Sequence, residues 1–399
     1  MPVSVFTVNK ELSSHAYVGR LQTAQFTLTR RWAPKVVAPE RGQQCLTDGH
    51  WIERPTRDSP ERAAGYACQR PFYHRCWAPP RERVPTTPER DSSIANWQWR
   101  PSAKGCDDGR DVLAALQQSW LPHNLVGGLI FFLGDSMTQE QFVSLECLLG
   151  KSFDAEASRQ LCERVGCNEG VCIDRNGTLR HFDARFTARH CRASAREWIV
   201  SVQAAAFSTG TRMVYYRLDQ FVEAIDAKLR LVPHFPARLL SEASLVVMNT
   251  GTHMASSLRS DGKPCLSRRL QEQSVCSSAT ARTVLQAMRR NTNGSVVYRS
   301  SVPGYKRCRN VSRPLHSDAP LELDRDMDYN WATFAGTDHA WHSAVREMND
   351  GRFYFQNVTL ASWLRADAHT RPRDDCLHFC LPGVADLWNS DLLGVVVGL

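Results

Sequence analysis

Eight consecutive residues without a polar side chain, Val126-Gly127-Gly128-Leu129-Ile130-Phe131-Phe132-Leu133, run straight into Gly134-Asp135-Ser136. A short stretch that is apolar at every position, rather than at alternate ones, predicts a strand buried on both faces. Residues 245–248 and 296–298 read the same way, and 354–358, although it includes Gln356 and Asn357, also reads as a buried strand. Between these runs, Leu218, Phe221, Val222, Ile225 and Leu229 recur at helical spacing, as do Leu285 and Met288. Residues 111–120 and 138–149 also predict helices. Strands alternating with helices predict an α/β fold: a parallel sheet with helices on both faces. Sites in such sheets form beyond the carboxyl ends of strands, where Ser136 and Asn249 fall.

A serine hydroxyl is a poor nucleophile at neutral pH and needs an adjacent base. Asp375-Cys376-Leu377-His378, near the C-terminus, offers His378 as that base and Asp375 as the carboxylate that orients it. The order Ser…Asp…His is one of several that build a triad. Asp367 and His369 form a competing pair just upstream. An Asp three residues before its His reaches it around one turn, which favours Asp375 with His378. Asp135 reads as a turn or helix-cap carboxylate. The oxyanion of acyl chemistry needs donors; the Ser136 backbone N–H, the Asn249 side-chain amide and Gly251 in the loop Asn249-Thr250-Gly251 are the candidates. Arg365 could hold a carboxylate or phosphate, although a structural ion pair is the plainer reading. Trp97, Trp99, Trp363 and Trp388 suit either sugar stacking or core packing.

Fourteen cysteines accompany four Asn-x-Ser/Thr sequons, at Asn176, Asn293, Asn310 and Asn357. Together they predict an oxidising lumen and disulfides. A zinc reading of Cys162-x4-Cys167-x4-Cys172 would need His190 or Cys191 as a fourth ligand at irregular spacing; no metal is expected. Residues 1–32 hold no apolar stretch long enough for a signal peptide or a span, so a lumenal location predicts that the true start lies upstream. The formal charge of +8 suits acidic partners, yet only seven of the 49 cationic residues are Lys, and no dense basic block points to nucleic acid.

Residues 1–44 read as a loosely ordered lead-in. Residues 45–106, rich in Cys, Trp, Pro and Arg, read as a small disulfide-rich cap, and 107–399 as the catalytic domain. The stretches 162–191 and 256–283, with few apolar residues, read as insertions.

The motifs together carry a resemblance. Cys45-Leu46-Thr47-Asp48-Gly49-His50-Trp51, then Trp97-Gln98-Trp99-Arg100-Pro101 with Cys106, then Gly134-Asp135-Ser136-Met137-Thr138-Gln139-Glu140-Gln141-Phe142 and Asn249-Thr250-Gly251 occur in order. They are followed by Phe355-Gln356-Asn357-Val358-Thr359 through His369, and by Asp375-Cys376-Leu377-His378-Phe379-Cys380-Leu381-Pro382-Gly383. Over roughly residues 45–399 the chain resembles the plant trichome birefringence-like proteins, a PC-esterase branch of the SGNH/GDSL hydrolase-like group. The resemblance implies an SGNH-like domain and a polysaccharide O-acetyltransferase with Ser136, Asp375 and His378 as its triad. It also implies residence in the Golgi lumen and attachment by an N-terminal anchor that this chain lacks. It further implies the disulfides Cys45–Cys106, Cys68–Cys147, Cys76–Cys380 and Cys308–Cys376, leaving the other cysteines for local bridges. Gln139, where the family usually has Arg, joins Arg365 and Trp388 as expected substrate contacts. Thr252-His253-Met254 stands where the family has His-Trp-Trp, and Phe379 where Trp is common.

The expected reaction moves an acetyl group from acetyl-CoA or another acetylated donor, through an acetyl-serine, to a hydroxyl of a xylan-like, mannan-like or pectin-like acceptor. No bound cofactor is expected. Two rivals share the sequence: a carbohydrate esterase using the triad on water, and a wall-glycan binding protein with a vestigial triad.

Overall fold

Each of the four stretches read as buried strands contributes a strand in the structure, a computed structural model that describes residues 45–54, 65–69, 76, 96–102, 106, 110–118, 121–173, 179–181, 198–225, 228–232, 234–249, 270–305, 308–316, 331, 334–371 and 375–397. The strands are β1 (Gly49–Glu53), β2 (Trp97–Pro101), β3 (Leu129–Gly134), β4 (Asn168–Ile173), β5 (Leu179–His181), β6 (Trp198–Ala206), β7 (Arg212–Arg217), β8 (Val222–Ile225), β9 (Lys228–Leu231), β10 (Leu245–Asn249), β11 (Ser295–Arg299), β12 (Phe353–Gln356), β13 (His369–Arg371) and β14 (Asp375–Phe379). The helices are α1 (Arg110–Gln117), α2 (Ser136–Leu148), α3 (Ala155–Val165), α4 (Ala237–Ser241), α5 (Leu270–Asn291), α6 (Phe334–Met348), α7 (Thr359–Trp363) and α8 (Val384–Val397).

One sheet of eight strands runs in the order β12-β11-β10-β3-β7-β6-β4-β5. From β12 to β7 every pairing is parallel; β6, β4 and β5 extend it antiparallel. The expected parallel sheet is thus half of a mixed one. After β3 the chain goes to β7 on one side and returns to β10 on the other. That reversal opens a crevice beyond the carboxyl end of β3.

Alternate side chains of the parallel strands feed two cores. Ile130, Phe132, Met213, Tyr215, Leu245 and Val247 pack under α1, α2 and α8. Leu129, Phe131, Leu133, Val214, Val246 and Met248 pack under α5 and α6. Both faces are therefore covered, which is why β3 could be apolar throughout. At its end, Gly134 lies so close to β10 that a Cβ would stand 1.9 Å from the Asn249 carbonyl oxygen. Only glycine lets the two strands approach there.

Three expectations change. Leu218, Phe221, Val222, Ile225 and Leu229 do not form a helix; Val222–Ile225 pairs antiparallel with Lys228–Leu231. β-Branched Val222 and Ile225 suit a strand, and the apolar spacing fits either element. The stretch 162–191 contributes β4 and β5 rather than only an insertion, and 270–283 opens the long helix α5. Residues 1–44 lie outside the described residues.

In the 45–106 segment, β1 and β2 form a two-stranded antiparallel ribbon. The bridges Cys45–Cys106, Cys68–Cys147, Cys76–Cys380 and Cys308–Cys376, implied by the resemblance, are all formed. Two of them tie the segment to α2 and to the residue after β14. A further local bridge joins Cys162 to Cys167, so two of the three cysteines of the zinc reading are bonded to each other. No described helix is long and apolar enough to cross a membrane.

Candidate active site

The end of β3 and the start of α2 fix the serine. Asp135 caps the helix, its carboxylate accepting the Met137 backbone N–H at 3.0 Å, as expected of that residue. Ser136 is then the first helical residue. Its own N–H is among those at a helix start that lack an intrahelical acceptor, at the positive end of the helix dipole. Buried Tyr215 donates its hydroxyl to the Asp135 carbonyl at 3.1 Å, and Thr138 donates to the Asn249 carbonyl at 3.2 Å, locking the turn.

The candidate base, His378, lies on β14, which pairs with β13, and disulfides stand two residues to either side of it, at Cys376 and Cys380. The His378 Nε2 lies 2.7 Å from the Ser136 Oγ, and its Nδ1 lies 2.6 Å from the Asp375 Oδ2. The other Asp375 oxygen accepts the backbone N–H groups of Leu377 and His378 at 3.0 and 3.1 Å. The side chains of His378 and Asp375 remain 18% and 23% exposed, so a substrate can reach them.

The electrostatics suit a base. Burial alone would raise the Asp375 carboxyl, but the hydrogen bond and charge of His378, with two backbone N–H groups, hold it below the usual carboxylate range. Burial opposes a charge on His378. The hydrogen bond and charge of Asp375, with Glu140 and Asp135 beyond, nevertheless raise it above ordinary imidazole. A serine proton passed to Nε2 would therefore form a stabilised imidazolium.

Glu140, which sequence reasoning missed, lies one helical turn after Ser136. Its Oε1 accepts the Phe379 backbone N–H at 2.9 Å, tying the helix that begins at Ser136 to the strand that carries His378. Burial pushes its carboxyl up to about 8, against the pull of His378. The available signal was an acid four residues after the serine in a helix that packs between apolar layers. The rival pair is accounted for elsewhere. His369 is buried, stacks on Phe379 at 4.5 Å, and has its Nδ1 3.2 Å from the His378 carbonyl. Asp367 pairs with Arg365.

Three expected contacts are corrected. Arg365 is not available to substrate: it is buried, donates to both Asp367 oxygens at 2.9 and 3.2 Å, and stacks 4.6 Å above the Trp51 ring. It clamps β1 against the main body, where Trp51 Nε1 also donates to the Ala361 carbonyl at 2.9 Å. Trp388 is fully buried, donating to the Ser362 hydroxyl at 2.8 Å with the Arg299 guanidinium 4.3 Å over its ring. Asn249 spends its side-chain N–H groups on the Arg299 carbonyl at 2.7 Å and the Ser301 hydroxyl at 3.3 Å, so it braces β10 against β11 instead of facing an oxyanion. Gln139 is half-buried one turn from the serine. Gly251 lies outside the described residues. Trp99 and Trp363 are core residues, leaving Trp97 half-buried. Among the described residues no cluster of His, Cys, Asp and Glu is arranged to hold a metal.

Residues 121–395 match the PC-esterase family, described as a GDSL/SGNH-like acyl-esterase family found in Pmr5 and Cas1p. The chain is 26% identical over 328 residues to protein trichome birefringence-like 13 of Arabidopsis thaliana, covering 74% of this chain and 72% of that protein. It is 24% identical over 342 residues to probable xylan O-acetyltransferase 10 of Oryza sativa subsp. japonica, covering 75% of this chain and 68% of that one. A second rice protein, xylan O-acetyltransferase 7, is 21% identical over 350 residues, covering 77% of this chain and 53% of its own length.

Proposed function

Because the chain belongs to the PC-esterase family of GDSL/SGNH-like acyl-esterases, we propose that it is a polysaccharide O-acetyltransferase working through an acetyl-serine. The observation that carries the reading is the His378 imidazole, within hydrogen-bond reach of both Ser136 and Asp375 at the carboxyl edge of the sheet. The Ser136 Oγ attacks the carbonyl carbon of an acetyl donor, acetyl-CoA or another acetylated compound, while its proton passes to His378 Nε2. The developing oxyanion lies near the start of α2, where the Ser136 N–H can donate to it. When the tetrahedral intermediate collapses, His378 returns the proton to the leaving group. A sugar hydroxyl then attacks the acetyl-serine. His378 takes its proton and hands it back to the Ser136 oxygen as the product ester departs.

The acceptor is read from the relatives named for xylan, and transfer requires that the sugar be held while water is kept from the acyl group. The bridged cysteines support an oxidising compartment, here the Golgi lumen.

Brief exposure to acetyl-CoA, followed by mass spectrometry of the Ser136 peptide, is expected to show one added acetyl group. Adding xylo-oligosaccharide is then expected to move that group onto sugar. Free acetate as the sole product would establish an esterase, and an unacylated serine with glycan binding intact would establish a binding protein.

A further inference from the structure

The same edge of the sheet holds an open cavity of about 250 Å³. It lies where β11 and β12 end: Phe355 belongs to β12, Ser301, Asn357 and Thr359 follow the two strands, and α6 supplies Asp338 and His342. In the strand order, β11 is two steps from β3 and β12 is three. At the usual spacing between strands, the cavity is roughly 10–14 Å from the end of β3. A chain of sugars spans such a gap and a single sugar does not.

The lining has the chemistry of a sugar site. Phe355 and His342 place their rings 5.0 Å apart at a tilt of 32°, an aromatic pair half open to solvent. Around it are hydrogen-bonding groups: the Asn357 Oδ1 accepts the Thr359 N–H at 3.2 Å, which fixes the amide, and both Asp338 oxygens lie within 3.1 Å of the Ser301 N–H. Little charge is presented at neutral pH. Burial pushes the Asp338 carboxyl up to about 8, against the pull of the Ser301 hydrogen bonds and Arg299. Burial, with Arg346 and His339 nearby, holds His342 below ordinary imidazole. Arg346 is a cation beside this lining, while the acid and the imidazole that face the cavity are both held toward their neutral forms, so hydroxyl recognition is the contact that these two groups offer.

We infer that this cavity is a distal acceptor subsite, binding one neutral sugar unit of a polysaccharide while another unit of the same chain is presented to Ser136. The inference rests on the acyl-transfer reading for its purpose, but its test does not use turnover. The full chain carrying Ser136→Ala is titrated calorimetrically with xylobiose and xylohexaose. Linking a second contact to the first makes its binding intramolecular, so xylohexaose is expected to bind at least about tenfold tighter.

Ala335→Trp at the exposed rim, and separately His342→Ala, are each expected to reduce that advantage to about twofold or less, with the thermal midpoint checked for folding. Equal affinity for the two sugars in the unblocked protein overturns the inference. So does a length advantage that survives both substitutions, or hexagalacturonate or coenzyme A binding that Ala335→Trp abolishes while xylohexaose is unaffected. An N-glycan found on Asn357 would also overturn it, by filling the mouth. Failure of the triad shows up differently, as a Ser136 that no donor acetylates, and leaves these affinities unmoved.

Discussion

The parallel and antiparallel halves of the sheet are built from different materials and carry different burdens. From β12 to β7, strands buried on both faces deliver Ser136, Asn249, Arg299 and Gln356 to one edge, and every described carboxyl that burial raises lies on the helices packed around them: Glu140, Asp338, Asp386 and Asp391. From β6 to β5 the strands pair antiparallel, α3 packs against β6, and the acids Glu156 and Glu163 stand in solvent beside Arg159. The contrast shows where a fold of this kind concentrates polar strain. Glu140 and Asp338 lie near the carboxyl edge of the parallel strands, whereas Asp386 meets Ser144 further along α2, so the burial of acids follows the helices that cover the parallel strands.

The sharpest test of this division pairs Ser136→Ala with a double Cys162→Ser, Cys167→Ser variant in the antiparallel half. The first is expected to lower acetyl transfer by at least about 10³-fold. The second opens a bridge spanning 5 residues and is expected to leave the rate within about twofold, because a loop this short constrains little of the unfolded chain. A comparable loss in both, followed as acetylated product per unit time, would break the comparison.

Asp375→Asn comes next, with kcat expected to fall by up to about 10⁴-fold as the imidazole loses its tautomeric guide. The pH profile adds a sign. His378 acts only when neutral, so kcat/KM rises with pH through its pKa, which Asp375 holds above the ordinary imidazole value. Removing the carboxylate should move that acid limb to lower pH. A limb that stays in place would mean that another group sets it.

Much of this contrast was legible in the residues. Apolar runs announced β3, β10, β11 and β12 but not the parallel strand β7, and a serine at a strand end with a distant Asp-x-x-His named the three side chains that the structure brings within hydrogen-bond reach. The antiparallel half was not. β6, Trp198–Ala206, ends in alanines, and β5 has only 3 residues, so neither gives a strong period. Burial of charge was equally hidden. Arg365 finds Asp367 two residues away and Trp51 far upstream; its identity says nothing about which it will meet. The acceptors of the Asn249 amide come from the end of β11 and the residues just after it, 50 and 52 residues on, beyond any local pattern. Spacing alone could not separate the β8–β9 hairpin from a helix, since a strand pair and a helix can carry the same five apolar positions.

Glu140→Gln tests the buried acids of the parallel half. Burial holds its folded pKa at about 8, above the ordinary glutamate value of 4.5. The native state therefore holds a proton that the unfolded chain releases, and stability falls as pH rises from about 4.5 through about 8. Glutamine keeps an acceptor for the Phe379 N–H and cannot ionise. At pH 9 the variant should be more stable than the parent by about 2 kcal/mol or more, with the gap closing at pH 5. Denaturant midpoints across this range would show it. Glu156→Gln, at the surface of the other half, should leave the slope between pH 6 and 9 unchanged.

Two glycines give the smallest and most local contrast. A Cβ at Gly134 would meet the backbone oxygen of Asn249 at 1.9 Å, so β3 and β10 must part for Gly134→Ala to fold. That should cost about 2 kcal/mol or more and displace the serine, since backbone atoms yield less readily than side chains. Gly166 ends α3 with φ +74° and nothing within 4 Å of its missing Cβ. Here the penalty of Gly166→Ala is conformational alone, about 1 kcal/mol, with no effect on acetyl transfer. Equal losses of stability at the two positions would mean that the close approach of β3 to β10 relaxes freely, and the carboxyl edge would then be softer than its packing indicates.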